Sequence, residues 1–195
     1  MTYTETMTYS AGVIPPHGGY RQLRSYQASE IIYDFTVKFC DSYMSYKTNK
    51  SYRTYDQMVQ AARSGKQNIA EGSMASGTSK KTELKLIGVA RASLEELLLD
   101  YEDFLRQKNL HLWDKNHPKS LEIRNLSYKS NKSYTTYETY LTDPETAANC
   151  AISLINQANY LLDRQLQALE KEFLEKGGFT ENLYKARQIS KGNFS

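Results

Sequence analysis

The side chains able to do chemistry are few in this chain and poorly spaced for catalysis. Its histidines are His17, His111 and His117. None falls in a stretch with long-helix periodicity, and the last two are six residues apart, which is not a helical ligand spacing. Helical bundles with di-metal centres build them from glutamates and Glu-x-x-His pairs, and the sequence contains no such pair. No phosphate-binding glycine loop, dinucleotide glycine pattern or Gly-x-Ser-x-Gly elbow occurs. Glu95, Glu96 and Asp100 are the densest carboxylates; no histidine or cationic partner is assigned to them, and they read as a solvated acidic face or one that pairs with a neighbouring subunit. Cys40 and Cys150 form no Cys-x-x-Cys and read as reduced core thiols. The expectation is a protein that is not an enzyme, with no catalytic residues, no metal and no cofactor.

Cations interleaved with aromatic rings are the chemistry that remains. Ser45–Asp56 reads SYKTNKSYRTYD and Ser127–Glu138 reads SYKSNKSYTTYE, identical at nine of twelve positions. The likeness stops abruptly on both sides, so the domain is not duplicated. The chain holds sixteen tyrosines against one tryptophan. Lysine and arginine can meet phosphates while flat rings stack on unpaired bases. The candidate nucleic-acid contacts are therefore Lys47, Lys50, Arg53, Lys129 and Lys132, among Tyr46, Tyr52, Tyr55, Tyr128, Tyr134 and Tyr137, together with Arg63 and Lys66. The same residues also make good loops and caps, and tyrosines can pack over the ends of a bundle. A structural role and contact with a protein partner therefore stand beside nucleic-acid contact.

These residues need elements to position them, and the pattern is helical throughout. No proline occurs between Arg21 and His117. A first helix is expected over about 20–46, with Ala28, Ile32, Phe35, Phe39, Tyr43 and Tyr46 on its stripe. A second is expected over about 54–75, where Thr54 and Gln57 have capping-box spacing. Tyr55, Met58, Ala62, Gly65, Ile69 and Gly72 follow a three-four rhythm, the spacing of a coiled-coil seam built largely from small residues. A third spans about 79–108, with Leu86, Ala90, Leu94, Leu97, Tyr101 and Phe104 inward. Residues 110–142 read as irregular, with a short helix near 119–128. Asp143 as N-cap, Pro144 and Glu145 announce the last long helix, which Gly177-Gly178 stops. A short helix is expected around 181–189.

Four long helices joined mostly by short turns give an all-α, up-down-up-down four-helix bundle over 20–176, with a flexible N-terminal tail at 1–19 and a C-terminal tail at 177–195. In that topology the two copies of the repeated dodecapeptide fall in the first and third connections, so both are expected at one end. The chain has 195 residues, enough for one such domain. Its net charge of +3 does not by itself demand a polyanionic partner. Residues 1–19 carry no Lys or Arg and no apolar run, and the longest tight apolar cluster is Leu97-Leu98-Leu99. A secretory signal and a membrane are therefore not expected, and the location expected is the cytoplasm.

Ser64-Gly65-Lys66-Gln67-Asn68-Ile69-Ala70-Glu71-Gly72 resembles the Ser-Ile-x-x-Asn-Ile-Ala-Glu-Gly signature of the bacterial four-helix-bundle proteins. That family includes the rRNA intervening-sequence proteins and the accessory variability determinants of diversity-generating retroelements. Gln57 and Arg63 stand where the family carries a glutamine and a basic residue. Ala92-Ser93-Leu94-Glu95-Glu96-Leu97 looks like its Gly-Ser-Leu-x-Glu-Leu. Gly65 replaces the usual isoleucine and Ala92 the usual glycine, so helix spacing should differ. The likeness covers about residues 21–170, and the extension from Asp143 onward looks like the "suffix" variant. The resemblance implies a cytoplasmic homo-oligomer, often a pentamer, in which Gln57, Asn68, Ile69, Glu71 and Gly72 are structural signature positions. It also implies RNA or DNA and a reverse transcriptase as partners. The leading expectation is a non-enzymatic oligomeric bundle that binds RNA or single-stranded DNA; the alternative is a protein-interaction scaffold.

Overall fold

Hydrophobic spacing at helical period, with few breakers between Arg21 and His117, makes the chain largely helical over what the computed structural model describes: residues 14, 16–44, 49–129 and 132–192, with the backbone alone for 49–52. Among these residues there are six α-helices and no strand. They are α1 (Arg24–Tyr43), α2 (Asn49–Ala75), α3 (Lys80–Gln107), α4 (Pro118–Leu126), α5 (Pro144–Lys176) and α6 (Phe179–Gly192). Two 3-10 segments, Tyr20–Gln22 and Tyr134–Tyr140, lie between them.

Local chemistry sets most of the ends. The Ser79 hydroxyl accepts the Thr82 N–H at 3.2 Å and caps α3. The Asp143 carboxylate accepts the Thr146 N–H at 2.8 Å, and Pro144 occupies the first helical position of α5. Gly177 takes φ +70, a left-handed value that suits glycine, and its N–H bonds to the Phe173 carbonyl.

Three expectations shift. The second helix starts at Asn49, not Thr54, so Thr54 and Gln57 sit inside α2 and cap nothing. The first starts at Arg24, because residues 20–22 wind into a 3-10 turn first. The region after α4 is not a plain loop: Ser133 and Thr136 form a reciprocal capping box that opens the 3-10 segment. Of the expected N-terminal tail, residues 1–13 and 15 lie outside the described residues. Just before α1, the Gly18 N–H bonds to the Ser73 carbonyl at the end of α2.

The helix α1 packs on α2 and α5, and α3 packs on the same two. Directions follow from paired residues. Lys66 lies over Tyr33 and Tyr55 bonds to Asp41, so α1 and α2 run antiparallel. Ser64 meets Ser93, and Gly72 lies against Leu86 and Ile87, so α2 and α3 do too. Arg91 reaches Asp163 and Lys80 reaches Glu172, which sets α3 against α5. Ser25 meets Gln165 and Tyr43 meets Leu141, which sets α5 against α1.

The core lies where the four long helices face inward. Phe35, Phe39, Met58, Ile69, Leu94, Leu97 and Ile155 are all fully buried. Tyr101 is buried too and donates its hydroxyl to Thr36 at 3.1 Å, while Phe39 packs edge-on against Tyr101 and Phe104. Cys40 and Cys150 are free and buried. Among the described residues no helix is long and apolar enough to cross a membrane.

Candidate nucleic-acid interface

The second copy of the repeated dodecapeptide is held by a scaffold anchored on the first turns of α5. Glu145 accepts the His111 N–H, and Asn149 accepts the Trp113 N–H at 2.8 Å while donating to the His111 carbonyl. These bonds lay residues 111–113 across α5. Trp113 then stacks on His117 and receives Lys119 over its ring at 5.3 Å, which fixes the start of α4. The buried Ile123 ties α4 into the core. Where α4 ends, the chain turns through Ser127–Lys129 and leaves Tyr128 standing 83 % exposed. Lys129, also exposed, makes no ion pair with a described residue.

Lys132 folds back and donates from Nζ to the Ser127 carbonyl at 2.6 Å. Burial, and the Arg24 guanidinium close by, hold its ammonium below the usual lysine pKa. Arg24 opens α1, with no acidic residue in that first turn. Lys132 and Arg24 thus lie within electrostatic reach of each other, and Lys132 is held against the turn that carries the exposed Tyr128. Arg24 carried no motif in the sequence, and only its proximity to Lys132 in space marks it.

The first copy sits elsewhere. Lys47 and Tyr46 lie outside the described residues, and Lys50 and Tyr52 are described in backbone only. Tyr55, one turn further along α2, donates its hydroxyl to Asp41 near the end of α1 at 2.9 Å. Arg24 and Asp41 are seventeen residues apart on α1, about 25 Å at 1.5 Å rise per residue. Of the residues expected to gather at one end, Tyr55 lies by the C-terminus of α1, while Lys132 lies within electrostatic reach of Arg24 at its N-terminus. The reason is that α4 and the 3-10 segment take the third connection back along α1 and α5 instead of turning over at one end.

The cations on α2 also diverge. Lys66 covers the Tyr33 ring, with Nζ 4.4 Å from its centroid. Arg63 is exposed and unpaired among the described residues. Arg53 lines an open polar groove between α2 and α3, together with Gln57, Gln60, Ser64, Ser93 and Glu96. Gln57, Ser64, Ser93 and Glu96, spread over two separate sequence stretches, thus meet along one seam. At its floor the Ser64 and Ser93 hydroxyls are 2.9 Å apart, and Asn68 donates to the Ser64 carbonyl and hydroxyl. Ile69 and Gly72 are buried, and Glu71 points to solvent. The Ser64–Ser93 contact, which Asn68 supports from within α2, and Gly72 against Leu86 and Ile87 join α2 to α3.

The acidic half of α3 is less uniform than its sequence. Glu95 accepts from Arg91, one turn earlier, and from Asn159 of α5, while Arg91 also reaches Asp163. Arg91 is the cationic partner not assigned from sequence. Asp100 has no such partner: burial, then Glu96 and Asp103, push its pKa up to about 6. Among the described residues no group of three or more His, Cys, Asp or Glu is gathered as a metal site.

Comparison with protein-family models, with curated proteins and with solved structures finds no match to this chain.

Proposed function

We propose that this chain is a non-enzymatic, cytoplasmic, homo-oligomeric four-helix bundle that holds unpaired RNA or DNA against its surface. The observation that carries the reading is the exposed Tyr128 ring in the turn that carries unpaired Lys129 and holds Lys132. A ring this exposed suits base stacking, and neighbouring cations suit phosphates. The mutual packing of α1, α2, α3 and α5 supports the bundle assignment. The likeness of the Ser64–Gly72 stretch to the bacterial four-helix-bundle proteins adds a reverse transcriptase as a candidate protein partner.

Fluorescence anisotropy with a labelled single-stranded oligonucleotide at increasing salt tests the reading. Binding should be salt-sensitive, and Lys129→Glu should reduce the salt slope by about one phosphate contact. Tyr128→Ala should weaken binding about tenfold, the effect of losing one stacked base. Absence of salt-sensitive binding at low ionic strength refutes the proposal.

A protein-interaction scaffold is the second reading, favoured by the exposed Leu99 and Val89 on the outer face of α3. Charge reversal at Lys50 and Lys132 separates the two. It abolishes nucleic-acid retention under the first and alters only assembly under the second.

A further inference from the structure

The C-terminal helix is amphipathic yet packs along no other helix. Among the described residues, α6 makes no extended contact with any of α1 to α5. Phe179, Leu183 and Ala186 share one side of it and are half-buried, and Tyr184 and Ile189, off that side, are 64 % and 67 % exposed. Glu181 is engaged at the helix start, where it accepts the Gly178 N–H. The remaining charges, Lys185, Arg187 and Lys191, make no salt bridge with a described residue. An isolated fourteen-residue helix is marginal in water, so this one gains from a surface to lie on.

A matching surface exists on α3. Val89, Ala92, Glu96, Leu99 and Asp103 are spaced three, four, three and four residues apart, the rhythm of a helix-docking seam, and all five face solvent. Leu99 is 57 % exposed between acids, and neither Glu96 nor Asp100 has an ion-pair partner among the described residues. An apolar stripe flanked by cations therefore complements, in sign, a seam on which Glu96 and Asp103 alternate with Val89, Ala92 and Leu99, and where Asp103 has only Arg106 of the same helix as a partner.

The chain cannot lay its own α6 along the far half of that seam. The end of α5 lies by the start of α3, where Glu172 pairs with Lys80. Fourteen helical residues reach about 21 Å, whereas Leu99 and Asp103 lie about 29 and 35 Å up α3 from Lys80. We propose that α6 of one chain docks on the outer face of α3 of a second copy, its Lys185, Arg187 and Lys191 meeting Glu96, Asp100 and Asp103. The inference rests on the oligomeric half of the function proposed above and is independent of nucleic acid. One such contact is smaller than the roughly 800 Å² per partner of a stable interface. A reciprocal pair or a closed ring, in which every chain gives one α6 and receives another, supplies the remainder.

Sedimentation velocity of the full-length protein at micromolar concentration tests this. The unaltered chain should associate at about 50 mM salt and dissociate at about 500 mM, because the Debye length falls from about 14 Å to about 4 Å between them. Lys185→Glu/Arg187→Glu/Lys191→Glu should be monomeric, and so should Glu96→Lys/Asp103→Lys, with helical circular dichroism retained because every altered side chain is exposed. An equimolar mixture of the two variants should regain association, since each α6 then meets an α3 of opposite sign. Association that neither variant disturbs overturns the inference and leaves the oligomeric reading intact. A chain that is monomeric at every salt overturns both. Binding of α6 to anionic phosphatidylserine vesicles by a monomeric chain assigns the helix to a lipid surface and overturns it too.

Discussion

Gly65 gives the sharpest quantitative test of how α2 and α3 are built. A Cβ placed on it meets Leu94 Cδ2 at 2.7 Å and Cγ at 2.9 Å, and both residues are buried. In an ordinary helix interior, Gly→Ala gains about 1 kcal/mol from backbone entropy. Here the new methyl must displace a fully buried leucine, and overpacking costs about 1–3 kcal/mol. The net for Gly65→Ala is a loss of about 1 kcal/mol. Gly88, inside α3, has no atom within 4 Å of its would-be Cβ. Gly88→Ala should therefore show the propensity gain alone, about 1 kcal/mol of added stability.

The same clash predicts coupling. Leu94→Ala alone opens a cavity and costs about 2–5 kcal/mol. In Gly65→Ala/Leu94→Ala the methyl added at position 65 occupies space that the leucine vacated, so the double variant should be about 1–2 kcal/mol more stable than the summed singles predict. Urea unfolding followed by circular dichroism in the far ultraviolet reads all four variants. If Gly65→Ala stabilises as much as Gly88→Ala, or the two changes are additive, the close-approach argument is wrong. The result bears on the family resemblance as well. The usual isoleucine at this position would add more bulk than alanine against Leu94, a leucine the Gly-Ser-Leu pattern also carries, so a chain with both residues would need α2 and α3 further apart.

Asp100 predicts a pH dependence with a definite sign. Its folded pKa of about 6 exceeds the unfolded value of about 3.9, so its charge opposes folding above about pH 6 and that penalty fades as pH falls from about 6 towards 4. Asp100→Asn should then add about 1 kcal/mol at about pH 7, after discounting for partial exposure, and almost nothing at about pH 4. Equal urea midpoint shifts at the two pH values refute this. The buried thiols make another prediction. Burial, then Asp41 and Asp100, push Cys40 up to about 12, and burial raises Cys150 further. Neither should react with an aromatic disulfide reagent at mildly alkaline pH faster than the protein unfolds; rapid labelling of the native state contradicts the assigned core.

The features visible in the sequence and those hidden from it divide along local and through-space causes. The α2 seam was legible because Met58, Ala62, Gly65, Ile69 and Gly72 carry their spacing in the chain, and all five are buried. The start of α5 was legible because Asp143 and Pro144 act within one turn. The Arg24–Lys132 pair was not, since its members are far apart in sequence and only the return path of α4 brings them together. The Arg91–Glu95–Asn159 bridge was half visible: its i,i+4 arm lies in sequence, while its arm to α5 exists only once α3 and α5 pack.

The repeated dodecapeptide shows why local likeness could not place its own copies. SYRTYD at 51–56 is α-helical within α2, whereas SYTTYE at 133–138 enters a 3-10 segment. Four of these six residues are identical, and the sequence downstream of each copy differs in a way that favours the two outcomes. After Asp56 the chain continues as QMVQAARSGK, which has helix formers and a buried seam to propagate the first turn. After Glu138 it continues as TYLTDP, where Thr142 and Asp143 favour extended or cap geometry and Pro144 disfavours the α region for the residue before it. An α-helix begun at Ser133 has nowhere to grow, and the shorter 3-10 form ends in Leu141 as α5 takes over. Replacing Thr142-Asp143-Pro144 with three alanines should therefore let helix extend back from α5 through Tyr140, raise the far-ultraviolet helical signal, and draw Tyr137 from its buried site. An unchanged helical signal would show that packing of Tyr137 and Tyr140 against the core, rather than the downstream cap, holds the second copy in its 3-10 form.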